Sequence, residues 1–309
     1  MHSPTHSSAP PAPTLTNWAS IGFLGLIWGG TFMVVSVALQ GYGPLTVAAA
    51  RVALGAVALF ALQFILRRPW PAFNRRMNKY LVLIGILNTA LPFTLLSWGQ
   101  QYVPSAFAGI SMAALPLFVL PLAHVFSDEP LSLRRLIGVI TGFFGALVLI
   151  GPGVLRIGDG LEPLGQLACI AAALSYATAS IMTRRAPPID SITFSALTLG
   201  VGTVVLLPAM LLVEGVPRYD SNLTVAAILF LGLVPTALAA LLRVIVIRSA
   251  GSVFMTLVNY QVPLWSVLFG ALILNEVLPL RFFAALALIL CGLAISQWGS
   301  LQKLLRRKV

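Results

Sequence analysis

The sequence predicts an all-α integral membrane fold of ten transmembrane helices, arranged as two inverted five-helix repeats. Three observations predict it. Of the 309 residues, 59% are hydrophobic and only 9% are charged, where a soluble domain carries roughly 25% charged residues. The mean hydropathy of +0.97 suits a chain whose main solvent is lipid. The apolar residues gather into stretches of about 20, the length that crosses a bilayer. Finally, the second half of the chain repeats the first at a fixed offset.

The expected spans are Asn17–Leu39, Pro44–Leu66, Lys79–Gln100, Pro104–Phe126, Leu133–Gly151, Pro163–Thr183, Ser191–Val213, Asn222–Ile247, Ser252–Leu274 and Leu280–Gly299. Short connections hold the Gly, Pro and charged residues. Residues 17–151 and 163–299 form the two five-helix units, flanked by tails at 1–16 and 300–309. The first tail is rich in Pro, Ser and Thr and lacks Lys and Arg. It reads as a disordered cytoplasmic tail, because a signal peptide needs a basic start and a cleavage site. The last tail is basic and is also expected in the cytoplasm.

The formal net charge of +11 would suggest nucleic acid in a soluble protein. Here the charges sit between apolar stretches, so they report topology and no nucleic-acid partner is expected. With the N-terminus in the cytoplasm, Arg67, Arg68, Arg75, Arg76, Lys79, Arg134, Arg135, Arg184, Arg185, Arg243, Arg248, Lys303, Arg306, Arg307 and Lys308 fall on the cytoplasmic side. Only Arg156, Arg218 and Arg281 fall outside, and Arg51 lies within a span. Lys and Arg mark the cytoplasmic face, so both termini are expected there, in a bacterial inner membrane.

The repeat appears at an offset of 147. Thr46, Ala49, Gly55 and Leu59 meet Thr193, Ala196, Gly202 and Leu206. Thr89-Ala90-Leu91 meets Thr236-Ala237-Leu238, and Pro116-Leu117 meets Pro263-Leu264. Glu129-Pro-Leu-Ser-Leu-Arg134 meets Glu276-Val-Leu-Pro-Leu-Arg281. One ungapped offset serves four consecutive spans; the first and sixth do not match. Each unit holds an odd number of helices, so the two must lie upside down to one another. Secondary transporters commonly use this plan, with their site near the midplane between repeats.

Polar side chains inside spans are costly and ask for a reason. Trp28 is mid-span, and its indole N–H needs a partner, which favours a cavity wall. Trp98 fits either an interfacial belt or a vestibule, and Trp265 reads as packing. Asn88 precedes Pro92, as Pro235 precedes Thr236. Proline frees a carbonyl, and such irregular backbone survives only against protein or water. Ser111 and Met112 answer Val258 and Asn259 across the repeat, and Asn259-Tyr260-Gln261 is a polar triplet within a span. With Tyr176 they make a substrate-binding set: Trp28, Asn88, Trp98, Ser111, Met112, Tyr176, Asn259, Tyr260 and Gln261. Apolar walls with sparse polar anchors suit a zwitterion or an amphipathic metabolite; ordinary core packing is the competing reading.

A gating or structural set comprises Arg51, Pro92, Pro116, Pro235, Pro263, Glu129 and Glu276. Arg51 is expected to hold an anion or to clamp neighbouring carbonyls. The two Glu are expected to cap the helices that follow them, with Arg134 and Arg281 as ionic partners. His124 reads as an interfacial histidine. Gly138, Gly142 and Gly145 permit close backbone approach, pairing the fifth helix with the tenth or with a second copy in a homodimer. Cys169 and Cys291 offer neither metal spacing nor a disulfide framework.

No phosphate-loop motif appears, and no carboxylate lies mid-span. Metals and cofactors are not expected. An intramembrane enzyme would need an acid cluster or a Ser–His pair, and a channel would need a charged ring or carbonyl filter. Neither pattern is visible.

Several segments together resemble the drug/metabolite transporter superfamily in its EamA-type ten-helix branch. They are Leu26-Ile-Trp28-Gly-Gly-Thr31-Phe, Pro44-Leu-Thr with Arg51, Gln101-Tyr-Val-Pro-Ser-Ala106, Pro116-Leu, and Glu129-Pro-Leu-Ser-Leu-Arg-Arg with Gly138. More loosely, the chain looks like the bacterial amino-acid exporters called YddG. The resemblance implies export of small organic metabolites by alternating access, with neutral and aromatic amino acids as the substrates. Nucleosides or cationic drugs are the alternative cargo.

Overall fold

The computed structural model describes residues 13–127, 132–151, 160–250 and 252–306. Glu129 lies outside these residues. Among them the chain is entirely helical apart from its connections. We number the helices α1 (Leu15–Ala38), α2 (Pro44–Ile65), α3 (Arg75–Gly99), α4 (Ser105–Ala113 with Leu115–Ser127), α5 (Leu133–Ile150), α6 (Glu162–Arg185), α7 (Ser191–Val213), α8 (Asn222–Leu231, Gly232–Leu238 and Ala239–Ala250), α9 (Ser252–Met255 with Val258–Leu272) and α10 (Leu280–Arg306).

Nine of these are long and apolar enough to cross a membrane. The tenth, α9, is broken. Its apolar run continues through Thr256 and Leu257, but three tighter bonds carry the chain across: Leu257 N–H to Phe254 O, Asn259 N–H to Thr256 O and Tyr260 N–H to Leu257 O. The structure also moves several ends. Helix α3 starts at Arg75 because Asn74 accepts the Met77 N–H at 2.8 Å. Helix α1 starts at Leu15, where Thr14 accepts the Asn17 N–H. Helix α10 runs on through Arg306, so most of the expected basic tail is helical.

Register between mates shows the inversion. On α5 and α10, Gly138 faces Ser296, Gly142 faces Gly292 and Gly145 faces Ile289. One series rises as the other falls, so the fifth helices of the two repeats run antiparallel. On α4 and α9, Ser105 faces Gly270 and Gly109 faces Ser266, again in opposite directions. For α2 and α7 both ends can be checked. Glu214, just past α7, accepts the Leu45 and Thr46 N–H groups at the start of α2, each at 2.8 Å. Arg68, just past α2, lies 3.9 Å from Asp190, which caps the start of α7.

The two ends of the bundle differ in charge. Glu162, Glu214, Asp220 and Glu276 gather at one, called here the acidic end. Arg67, Arg68, Arg75, Arg76, Arg184 and Arg185 mark the other, the basic end. At the acidic end the repeats are latched together. Glu214 also accepts the Thr46 hydroxyl at 2.7 Å. Glu276 accepts the Ser105 and Ala106 N–H groups at 2.7 and 3.2 Å. This corrects the sequence reading of Glu276: it caps α4 across the repeats, not the helix that follows it. A carboxylate suits any helix N-terminus within reach, and the fold brings α4 closest. Arg281 lies 4.0 Å from Glu162 instead.

The α5–α10 pair answers the expectation for the glycine face. A Cβ added at Gly138 would stand 2.6 Å from Gly292 O, and one at Gly145 would stand 2.9 Å from Ile289 N. The close approach is therefore within the chain. Cys169 is buried, Cys291 is exposed, and neither forms a disulfide.

Candidate functional site

The centre of the bundle is organised by two π-helical turns, Ile86–Ala90 in α3 and Gly232–Leu238 in α8. They occupy matching places in the two repeats, and proline explains both. Pro92 has no N–H for the carbonyl of Asn88, and Pro235 has none for Leu231. A widened turn absorbs the mismatch: Leu91 N–H bonds to Ile86 O, and Ala239 N–H to Val234 O. Threonine hydroxyls take part of the remainder. Thr236 Oγ1 donates to Leu231 O at 2.8 Å, and its repeat mate Thr89 donates to Gly85 O.

Each π turn presents one carbonyl to a donor from the opposite repeat. Trp28 of α1 donates its indole N–H to Pro235 O at 3.2 Å. Ser175 of α6 donates its hydroxyl to Leu87 O at 2.7 Å. Trp28 and Ser175 are themselves 147 positions apart. The first and sixth helices thus share a structural task despite their dissimilar sequences. Trp28 has the polar partner its depth demanded.

Arg51 of α2 sits between these turns and is only 8% exposed. Its Nε donates to Thr236 Oγ1 at 3.1 Å. Its guanidinium carbon lies 4.0 Å from the centre of the Phe93 ring. Phe93 packs edge-on against Tyr176, with ring centroids 6.4 Å apart. Among the described residues no carboxylate pairs with Arg51. Among the described residues the guanidinium is held by one hydroxyl and one ring face. A desolvated cation–π contact is worth about 2 kcal/mol, well short of what a carboxylate would supply.

The structure gathers some of the expected site residues and disperses others. Trp28, Met112 and Tyr176 pack half-buried against one core cluster, together with Leu95, Val234 and Leu242. Asn88 lies in the first π turn and is exposed. Ser111 does not line this space: it is fully buried and donates to Ala108 O in its own helix at 2.7 Å. A serine in a close-packed helix finds a backbone carbonyl nearer than any solute. Gln261 lies against Gly25 and reaches Ile21 O at 3.5 Å, so it fills the α1–α9 contact. Asn259 is half-buried, and the buried Tyr260 hydroxyl has no hydrogen-bond partner among the described residues. Trp98 stacks edge-on with Tyr102 at 5.1 Å near the acidic end. Trp265 stacks on Phe269 at 5.6 Å, as the packing reading required.

The prolines fall into two kinds. Pro235 lies within its π turn and Pro92 just past the other. Pro116 follows the break at Ala114 in α4, whereas Pro263 sits inside an unbroken stretch of α9. Phe93 is a site residue that the sequence reading did not single out: one aromatic among many, it carried no signal, whereas Thr236 was marked by its place beside Pro235. An open cleft of about 550 Å³ at the acidic end, lined by Tyr42, Thr46, Glu214 and Arg218 among others, touches none of the central residues.

Two stretches, residues 17–151 and 163–297, each match the EamA-like transporter family. The chain belongs to that family. This EamA-like transporter is 27% identical over 270 residues to the transporter YoaV of Bacillus subtilis (strain 168), covering 87% of this chain and 92% of that one. It is 25% identical over 278 residues to the inner membrane transporter YedA of Escherichia coli (strain K12), with 89% of both chains covered. PecM of Dickeya dadantii (strain 3937) is 24% identical over 274 residues, covering 88% of this chain and 89% of its own. A solved crystal structure superposes with a TM-score of 0.62 at 19% identity, over 91% of this chain and 97% of that chain, which speaks for the fold alone. This EamA-like transporter is a multi-pass membrane protein built from two copies of one family unit.

Proposed function

We propose that the transporter exports small organic metabolites bearing a carboxylate, amino acids with neutral and aromatic side chains foremost, by alternating access. The observation that carries this reading is Arg51. It is a buried guanidinium with no acidic partner among the described residues, stacked on Phe93 beside Tyr176 and Trp28. A carboxylate can pair with such a group, while the aromatic faces accept the solute's apolar part. The Glu214 and Glu276 caps support a resting state in which the acidic end is held shut. Release would require both caps to open, and loading would occur from the basic end.

The concentration of Lys and Arg at that end favours a cytoplasmic location for it. Among the relatives, YedA is an inner membrane transporter, which favours the same membrane here. The deciding experiment reconstitutes the full chain in liposomes and follows uptake of radiolabelled phenylalanine, leucine and alanine. Saturable, stereoselective uptake with mutual competition is expected. Absence of transport and of competition by any amino acid would remove the substrate assignment.

A further inference from the structure

Arg243 is a second cation inside the bundle. It lies in the Ala239–Ala250 stretch of α8, and among the described residues it forms no hydrogen bond or ion pair. The loop-by-loop charge count placed it with the cytoplasmic arginines. The helical phase places it elsewhere. Exposed Leu238 and Ile245 (39% and 57%) mark the lipid-facing side of α8. At about 100° per residue, Arg243 points about 140° away from Leu238 and about 160° away from Ile245. The residues that share its side, Ala239, Val246 and Ala250, are buried at 0%, 0% and 3%.

Arg243 is nonetheless exposed. An exposed side chain on the inward side of a helix faces space within the bundle. The same helix leads to the central site: Thr236, which holds Arg51, lies seven residues earlier, within the π turn. Arg243 is correspondingly nearer the basic end, about 10 Å from the end of α8. An arginine at this depth that turns from lipid and meets no carboxylate among the described residues marks a solute path by default.

We propose that Arg243 is a carboxylate-receiving residue on the way from the basic end to Arg51. It takes the acid group of the incoming solute before that group reaches the deeper guanidinium. The two cations make a free carboxylate the required feature of the cargo, so amines and amides without one are poor substrates. This rests on the function proposed above and adds the recognition element.

The test compares phenylalanine with phenylalaninamide in proteoliposomes carrying the wild type, Arg243→Gln or Arg243→Lys, with all three checked for a monodisperse profile in detergent. The wild type is expected to prefer the acid. Arg243→Gln should lower that preference about tenfold through KM, the scale of one charge-assisted pair, and Arg243→Lys should recover part of it. Unchanged preference in Arg243→Gln overturns the inference while leaving amino-acid export standing. Equal transport of acid and amide by the wild type overturns it as well. If the wild type carries no amino acid, the export reading fails and thermal stabilisation by benzoate decides. Stabilisation that Arg243→Gln loses sustains the carboxylate site; its absence, or its persistence in the variant, refutes the site.

Discussion

Replacing Glu214 with Ala is expected to release the acidic end of the bundle. The Glu214 carboxylate accepts three hydrogen bonds from the first turn of α2, at 2.8, 2.8 and 2.7 Å. Bonds to a charged acceptor are worth about 1.5–3 kcal/mol each. Water replaces the carboxylate at a partly exposed helix end, which reduces each to about 1 kcal/mol. The three together come to about 3 kcal/mol, and at 1.4 kcal/mol per decade this is roughly a 150-fold shift towards the open arrangement. Spin labels on Tyr42→Cys and Val216→Cys, which both line the cleft, would read the separation in a background without Cys169 and Cys291. The Glu214 carboxylate present should give one short distance, and Glu214→Ala a second, longer population. Further loss of Glu276, which holds α4 by the same chemistry, should increase that population. Identical distance distributions with and without the Glu214 carboxylate would refute the latch.

Gly292→Leu should destabilise the protein, because a Cβ there would meet Gly138 O at 2.5 Å and Gly142 N at 2.6 Å. Overpacking costs about 1–3 kcal/mol, so an unaltered Tm in detergent would count against a tight α5–α10 contact. Thr236→Val keeps the shape but leaves Arg51 Nε and Leu231 O each without its hydroxyl partner. A loss of about 2 kcal/mol in stability or solute affinity should follow, read by thermal unfolding and equilibrium binding.

The spans were legible because lipid imposes long apolar runs, and the inversion was legible because the repeats kept one offset. The sixth helix hid its kinship with the first: an indole N–H and a serine hydroxyl can each serve a carbonyl of the opposite π turn, so side-chain identity was free to drift. The α9 break left no trace, since Thr256 and Leu257 prolong an apolar stretch that a continuous helix would also contain. Glu276 was misread because a carboxylate beside one helix start can serve another that only the tertiary fold supplies. Ser111 was misread for a related reason, as its hydroxyl finds Ala108 O within its own helix. Arg243 was within reach of the sequence. Its phase relative to Leu238 and Ile245 separates it from the surface charges, whereas sorting charges by the nearest loop does not.

The glycine seam between α5 and α10 also bears on how the chain is made. Helix α5 enters the bilayer with the first unit, but the partner that covers Gly138 and Gly145 arrives only after α6 to α9 have been synthesised. Until then those small residues face lipid that cannot interdigitate with them as a neighbouring backbone does. The first unit is therefore incomplete as it leaves the ribosome, and insertion of the final helix joins the early and late products of translation.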